Sequence, residues 1–471
     1  MGVSNFHPRY SLALNRWQLV RDCIEGQEAV KNNTTGYLPA TFATDEAERY
    51  QQYLERAYFM GVTGRTHAAL LGMVFRKQPK YKLPPAVEAL IEDIDGSGQS
   101  LEQMSKALVG DLLAVGRYGL LVDYPTADEG IDAETERRLG LRPTIAAYSA
   151  ESIINWRWDG IKGRKQLTLV VLAEEVPRNL DEFAHDFDTV YRVLRLRDGV
   201  YTQTVYDAQG QQIIEEYTPR MAGGATFDRI PFHIAGSTNN YPEPDVAPLV
   251  DMAHLNIAHY QSTAELKENQ FFSAQGTLHL DVGEMSTDEF QSLNPNGVIV
   301  GRRTGIITSG GGSATLLQGD SRQADILATM AHEEQQMVAI GARLVQRGGQ
   351  AETAEASRIN ASAESSTLDS LVNNGSEAIE GALEDFARFL GADPEAVSYQ
   401  LNTEFWESGV DAQQLQAIQA GVGTLYGALD AIEMIRAGRI YLRDDRDNEM
   451  ILQEAASTLL DEDSAEPINS I

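Results

Sequence analysis

The sequence predicts an α+β fold in which helical segments enclose a run of antiparallel strands. Apolar residues recur at three- and four-residue steps in the first third of the chain. From about Arg142 the pattern changes toward a period of two, and helical spacing returns on both sides of a glycine-rich segment at 276–319. With 471 residues, 42% of them hydrophobic, the chain has material for about two to four folding units.

The first helices are predicted from this spacing. Residues 11–28 and 46–77 place aromatic and aliphatic side chains at helical intervals, and the Pro84-Pro85 pair then ends the pattern. Residues 101–115 predict a further buried helix after the Gly-Ser-Gly sequence at 96–98. The amino-terminal third is therefore expected to begin as mostly helical.

The central region predicts strands because its apolar runs are rich in Val, Ile, Thr and Tyr. Asp198-Gly199 lies between two of these runs, and Asp-Gly favours a tight hairpin because both turn residues need positive φ. We expect an antiparallel meander of three or four strands. The runs are residues 166–176, 189–197, 200–206 and 212–217.

A small β-rich module is predicted between two long helices. A proline-rich connector at 242–248 cannot be helical, and it precedes a helix that should end near Gly276. A second helical stripe runs from Ile326 to Leu344. Helices of about 24 residues would hold the intervening module roughly 35 Å away from the body. Strands are expected within that module at 277–280, 298–300 and 305–308.

The carboxyl-terminal part predicts further helices. A third apolar stripe runs from Ile379 to Leu390, and the Gly348-Gly349 pair is a natural break before it. Residues 410–460 predict three short helices, and residues 461–471 predict a disordered acidic tail.

The charge limits the kinds of partner. The chain has 38 Lys and Arg against 69 Asp and Glu, a formal charge of −31. Residues 325–388 contain eleven acids and four bases, a net of −7. Such a surface should repel DNA, because nonspecific binding depends on Lys and Arg neutralising phosphates. A passage lined by this segment would let a duplex slide without adhering, although a solvated helix face explains the same charges.

No catalytic, metal or cofactor site is predicted. Cys23 alone excludes a disulfide framework and is expected to pack as a small apolar residue. The sequence His332-Glu-Glu-Gln-Gln lacks the second histidine of a zinc helix and should form a polar face. His254 and His259 are expected to be ordinary polar positions on opposed sides of a helix, and the glycines at 310–312 a flexible loop.

No targeting signal is expected from residues 1–10. Residues 1–10 have neither a basic region nor an apolar core, and no apolar run reaches the roughly 20 residues of a membrane helix. These features favour a soluble protein in a reducing compartment.

Several segments together resemble the tailed-bacteriophage portal proteins, the head-to-tail connectors of these phages. The likeness extends over nearly the whole chain, and the order of elements agrees, including the stalked module. The segments that carry it are Arg16-Trp17-Gln18-Leu19-Val20-Arg21-Asp22, Gly26 to Lys31, Tyr37-Leu38-Pro39, Tyr53 to Ala57, Thr63 to Thr66, Gly72 to Phe75, Tyr191 to Tyr201 and Pro248 to Asp251.

The resemblance implies a phage portal fold with four named parts. These are a helical and β-meander wing, a two-helix stem, a small β-containing clip and a short helical crown. On this chain the wing would be 1–245, with the long helix of 353–404 returning to it; the stem 246–273 and 321–345; the clip 274–320; the tunnel loop 346–352; and the crown 405–460.

The resemblance also implies a function that is mechanical rather than enzymatic. A ring, expected to contain twelve subunits, would occupy one vertex of the virion capsid and form the channel for DNA packaging and ejection. Assembly would take place in the cytoplasm of the bacterial host. The implied partners are the major capsid protein, the terminase large subunit, a head-completion or tail adaptor protein and double-stranded DNA, without a cofactor or membrane.

Two groups of residues follow from these assignments. Arg302 and Arg303 in the expected clip would contact partner proteins or phosphate. The tunnel-loop residues Gln346, Arg347, Gly348, Gly349 and Gln350 would approach the duplex. Two alternatives remain open: another head–tail connector ring that does not translocate DNA, and an unrecognised cytoplasmic enzyme.

Overall fold

Helices and sheets are both present, as the sequence predicts. The computed structural model describes residues 2–40, 47–124, 142–161, 163–178, 183, 185–221, 223–274, 277–281, 283–295, 299–300, 303–304, 306–308, 313–317, 323–345 and 367–405.

Over these residues the helices are α1 (Pro8–Glu25), α2 (Gln27–Asn32), α3 (Ala47–Arg56), α4 (Val62–Val74), α5 (Pro85–Glu88), α6 (Leu101–Val115), α7 (Val250–Ala274), α8 (Thr287–Leu293), α9 (Gln323–Val345) and α10 (Thr367–Leu390). The strands are β1 (Lys80–Lys82), β2 (Arg117–Asp123), β3 (Thr144–Ser149), β4 (Ile153–Ile161), β5 (Arg164–Pro177), β6 (Phe187–Arg197), β7 (Val200–Tyr206), β8 (Gln212–Tyr217), β9 (Phe232–Gly236), β10 (Thr277–Asp281), β11 (Ile299–Val300), β12 (Arg303–Thr304), β13 (Ile306–Thr308), β14 (Ser313–Leu317) and β15 (Ser398–Gln400).

The α6 helix has the bounds that its sequence predicts. It begins with a capping box, in which Ser100 Oγ accepts the Gln103 N–H at 3.2 Å and Gln103 Oε1 accepts the Ser100 N–H at 3.0 Å. It ends at Gly116, which has the left-handed φ of 73°. Local capping chemistry therefore fixes both ends.

The helical stretch at 46–77 is divided into α3 and α4. Side chains of α7 bind the carbonyls of the connecting residues: Thr263 Oγ1 donates to Tyr58 O at 2.7 Å, and Asn256 Nδ2 donates to Met60 O at 2.8 Å. The amphipathic pattern continues across the break, so periodicity alone does not reveal it.

The meander is a five-stranded antiparallel sheet in the order β4-β5-β6-β7-β8. The turn between β6 and β7 has positive φ at Asp198 and Gly199, 52° and 79°, as its Asp-Gly sequence predicts. The expected three or four strands omit β4. That strand carries a register shift between Arg157 and Trp158, which interrupts its alternation.

A second sheet, in the order β3-β2-β9, was not predicted. Its central strand β2 is buried at six consecutive residues from Arg117 to Val122. A continuously buried strand shows no alternation and, next to α6, resembles more helix.

A partly buried polar network joins the two sheets. Arg192 of β6 binds Glu174 of β5 through two hydrogen bonds, Nε to Oε1 at 2.6 Å and Nη2 to Oε2 at 3.2 Å. Its Nη1 donates to Gln203 Oε1 at 3.0 Å, and Gln203 Nε2 donates to Asp123 Oδ1 of β2 at 2.7 Å. The Tyr148 hydroxyl of β3 donates to Glu174 at 2.6 Å.

The network contains two carboxylates and one guanidinium. Burial raises the pKa of Asp123 above its ordinary value, and the nearby charge of Arg192 acts in the opposite direction. Arg192 therefore compensates both Glu174 and Asp123, and the three side chains are half-buried.

The helix α10 is tied to β9 through a fully buried carboxylate, Asp385. Asp385 accepts from Arg229 Nη2 at 2.5 Å, from Arg388 Nη1 at 2.7 Å and from His233 Nε2 at 2.9 Å. Burial acts to raise the pKa of Asp385. The hydrogen bond from His233 and the charges of the two arginines outweigh burial and hold this pKa below its ordinary value. The third apolar stripe thus packs against the second sheet.

Replacing Arg192 by Met should lower the free energy of unfolding by about 1.5–3 kcal/mol, because the half-buried carboxylates of Glu174 and Asp123 would lose their cation. Urea unfolding at fixed protein concentration measures it. Arg197→Met is the matched control, since Arg197 is an exposed arginine of the same strand and should change stability by less than about 0.5 kcal/mol. Equal effects of the two substitutions would contradict the role of the network.

Candidate functional site

The helices α7 and α9 form an antiparallel hairpin. Three contacts along the hairpin define the register of the two helices. Met252 Cε lies 3.3 Å from where a Cβ on Gly341 would stand. Further along, His259 Nε2 lies 3.4 Å from Glu334 Oε1, and Ser262 Oγ donates to Glu333 Oε1 at 3.2 Å. As the residue number rises on α7 it falls on α9. With 25 and 23 residues, the helices are about 37 and 34 Å long.

The chain between the two helices forms a small module, defined here as residues 277–317. Its main sheet has the order β13-β10-β14, with β13 parallel and β14 antiparallel to β10. The strands β11 and β12 form a separate antiparallel pair. The strands expected at 277–280, 298–300 and 305–308 correspond to β10, β11 and β13, although residues 298 and 305 lie outside the described residues. The structure adds α8, β12 and β14.

The base of α7 is embedded among the first helices. Asn256 is fully buried, and its Oδ1 accepts from Thr63 N at 3.1 Å and Thr63 Oγ1 at 3.0 Å. Further along, Gln261 Nε2 donates to Tyr37 O at 2.7 Å. Leu266 is the last buried residue of α7 among those whose exposure is described. The remaining turns extend beyond the buried part.

An arginine marks the point where α7 leaves its buried surroundings. Arg56, at the end of α3, donates to Glu268 Oε2 at 2.5 Å, and its guanidinium lies 4.2 Å from the centre of the Phe271 ring. The ion pair and the cation–π contact both brace the projecting part of α7 from the side.

The exposure of α9 is very different. Among the α9 residues whose side chains are described, only Met337 is buried. Leu327 and Val338 are 51% and 73% exposed. A stripe of exposed residues on α9 spans about 100° around the helix axis. This stripe is apolar except for Gln335. Its apolar residues are Ala324, Leu327, Ala328, Ala331 and Val338.

His259 is not the ordinary polar position that the sequence suggests. It is 2% exposed, and neither ring nitrogen makes a hydrogen bond to the described residues, although Nε2 lies 3.4 Å from Glu334 Oε1. His254 is exposed, so the two histidines do point to different surroundings. The prediction for His259 was wrong because a polar residue at the inner edge of a helical stripe looks the same in sequence as a solvated one.

The predicted site residues lie mostly beyond what the structure describes. Arg302 and the tunnel-loop residues Gln346, Arg347, Gly348, Gly349 and Gln350 are outside the described residues, as is the glycine loop at 310–312. Arg303 is the first residue of β12 and pairs with Val300 of β11. Of the expected crown at 405–460, only Phe405 is described, and the tail at 461–471 is not.

The residues tested for chemistry in the sequence occupy structural positions. Cys23 is fully buried, and burial raises the pKa of its thiol to about 12, which keeps the thiol protonated. His332 is exposed on α9, where its Nε2 accepts from Gln336 at 2.9 Å, so this sequence does form a polar face. No group of three metal-ligating side chains occurs within the described part of the chain.

A groove of about 1150 Å³ lies among α1, α4, α6 and β3. Arg21 in its wall binds Asp111 with both terminal nitrogens at 3.1 Å and Glu151 from the other side. Burial raises the pKa of Asp111, and the hydrogen bonds from Arg21 oppose that shift. Arg21, Asp111 and Glu151 of this wall therefore bind one another.

None of the helices in the described ranges has the length and hydropathy of a membrane crossing.

Residues 248–390 match the model of a family described as a domain of unknown function, DUF4055. No curated protein matches this sequence. The matched range starts just before α7 and ends with α10, so it contains the hairpin and its module.

A chain from a solved structure described as the neck of an empty GTA particle, computed with C6 symmetry, is 15% identical to this chain. The comparison covers 80% of this chain and 90% of that chain, with a TM-score of 0.38. A TM-score at this level does not establish a common fold.

Replacing Asn256 by Ala should lower the free energy of unfolding by about 3 kcal/mol. Thr63 N–H and Thr63 Oγ1 would stay buried and lose their acceptor, whereas Met60 O would keep its hydrogen bond from Val62 N–H. Urea unfolding measures this change. Asn155→Ala is the control, because Asn155 donates a single, exposed hydrogen bond to Asn5 O and should cost well under half as much. A loss no larger than the control's would contradict the anchoring of α7 by Asn256.

Proposed function

We propose that this chain is a portal-type subunit of a phage head–tail connector, in which copies close into a ring around a DNA channel. In this proposal α7 and α9 form the stem, the module forms part of the clip, and the preceding body forms the wing. The observation that carries it is the exposed apolar stripe of α9 on a hairpin that holds a small module away from the body.

The uneven burial of the hairpin favours contact with a neighbouring copy. The inner side of α9 faces α7, where Met337 is buried, so the exposed stripe with Ala331 and Val338 lies away from α7. Apolar residues recurring at three, four and seven positions suit packing against another helix. A contact between two different surfaces repeats head to tail and closes into a ring when its rotation permits.

The residues at the channel follow from the same proposal. The exposed acids Asp325 and Glu334 give α9 an acidic character that would repel phosphates and let a duplex pass. The loop from Gln346 to Gln350, directly after α9, would approach the DNA, with Arg347 as its one cation.

The partners in the proposal follow from the position of each part. Arg302 and Arg303 in the module would contact the terminase during packaging and the tail adaptor afterwards, and the body would contact the major capsid protein. ATP hydrolysis would belong to the terminase, so this chain would act without an enzymatic site or cofactor.

Charge placed on the α9 stripe should prevent ring closure. The double substitution Ala331→Glu and Val338→Glu puts two carboxylates on the proposed interface and leaves the α7-facing side unchanged. Light scattering coupled to gel filtration should then give a single chain in place of a closed oligomer. Leu12→Glu, at a 70% exposed position of α1, is the control and should leave the oligomer intact. A double variant that still closes would remove the stripe from the interface.

Reversing the charge of Arg347 tests the tunnel loop separately. Arg347→Glu should leave the ring intact and reduce DNA packaging or retention, because a cation next to the duplex becomes an anion. Packaged DNA per particle is the measurement. Unchanged packaging and retention would remove the assignment of this loop.

A further inference from the structure

One surface of this acidic chain has the opposite charge. Residues 57–87 contain Arg65, Arg76, Lys77, Lys80 and Lys82 and no Asp or Glu, whereas the whole chain has 69 acids and 38 bases. Four of the five bases fall within 76–82. The side chains from Arg76 to Gln78 and from Lys80 to Lys82 are exposed.

The strand β1 presents two of these bases on one side. It pairs with β15 in a two-stranded antiparallel sheet, with Lys80 opposite Gln400 and Lys82 opposite Ser398. The cross-strand neighbours on the lysine side are therefore uncharged. Tyr81 lies on the other side, opposite the buried Tyr399, and is 47% exposed.

One edge of β1 has no strand beside it in the part of the chain that the structure describes. On the other edge of the sheet, β15 lies against α10, where Tyr399 N donates to Glu380 Oε2 at 2.8 Å. No further strand pairs with β1 within the described residues. An open edge offers backbone N–H and C=O groups that an extended peptide can bind.

Two structural explanations account for part of the charge. Arg76 and Lys77 follow the carboxyl-terminal end of α4, where bases favour the helix dipole. Lysine on an edge strand also discourages pairing with a similar strand. The two lysines are selective, however, because their charges repel a basic strand and attract an acidic one.

We propose that the β1 edge, defined as residues 80–82, binds an extended acidic segment of a partner protein by strand addition. Alternate carboxylates of the segment lie beside Lys80 and Lys82, and the apolar residue between them packs on Tyr81. The open backbone edge favours a peptide over a nucleic acid, and the acidity of the rest of the chain opposes a long polyanion. This inference does not depend on ring formation.

Fluorescence anisotropy with labelled peptides tests the proposal on the full chain. A peptide of alternating Glu and Val should bind, and the matching Lys and Val peptide should not. A Glu and Val peptide with N-methylated backbone amides should bind at least about tenfold more weakly, because it cannot form the strand ladder. A duplex oligonucleotide should bind more weakly than the Glu and Val peptide.

Two charge-reversal pairs locate the site. Lys80→Glu with Lys82→Glu should weaken peptide binding by about tenfold or more. Lys106→Glu with Lys165→Glu makes the same change in net charge at exposed lysines elsewhere and should leave binding unchanged. Circular dichroism and the unfolding midpoint of both variants establish that they are folded.

Several results would overturn the proposal. Absent binding of the Glu and Val peptide would do so, as would equal binding of its N-methylated form, because charge alone would then explain the contact. Tighter binding of the duplex would make the surface a nucleic-acid site. Equal losses in the two charge-reversal pairs would make the effect one of net charge. Loss of self-association in the Lys80 and Lys82 variant would identify the occupant as a second copy.

Discussion

The hairpin buries its two helices unequally, and the proposed assembly depends on this inequality. The inner helix α7 is held by buried polar side chains, Asn256 above all, whose amide binds Met60 in the break before α4 and Thr63 in α4 itself. The outer helix α9 buries only Met337 among its described side chains. An exposed apolar stripe on such a helix indicates an interaction surface.

Hydrogen bonds attach the first part of α7 to the body. The hydrogen bonds of α7 to the carbonyls of Tyr58 and Met60 fix the direction in which it leaves the body. The network around Arg192 and the carboxylate Asp385 join the body's sheets and α10. Because buried charged groups need all of their partners, these contacts favour one arrangement of the elements.

The sequence predicts those elements whose signals are local. The capping box fixes α6, the Asp198-Gly199 pair fixes a turn, and helical periodicity locates α7 and α9. It fails where tertiary packing decides, as in the continuously buried β2. The burial of His259 also depends on a neighbouring helix that a single stretch of sequence does not show. Neither Arg302 nor the loop after α9 lies within the described residues, so their roles remain sequence-based predictions.

End-on electron cryomicroscopy of the purified full chain tests the central claim most directly. The account predicts closed rings with an axial opening, in which the α9 stripe of each copy lies against its neighbour. Single chains that stay separate at high protein concentration, or rings in which this stripe faces solvent, would contradict it.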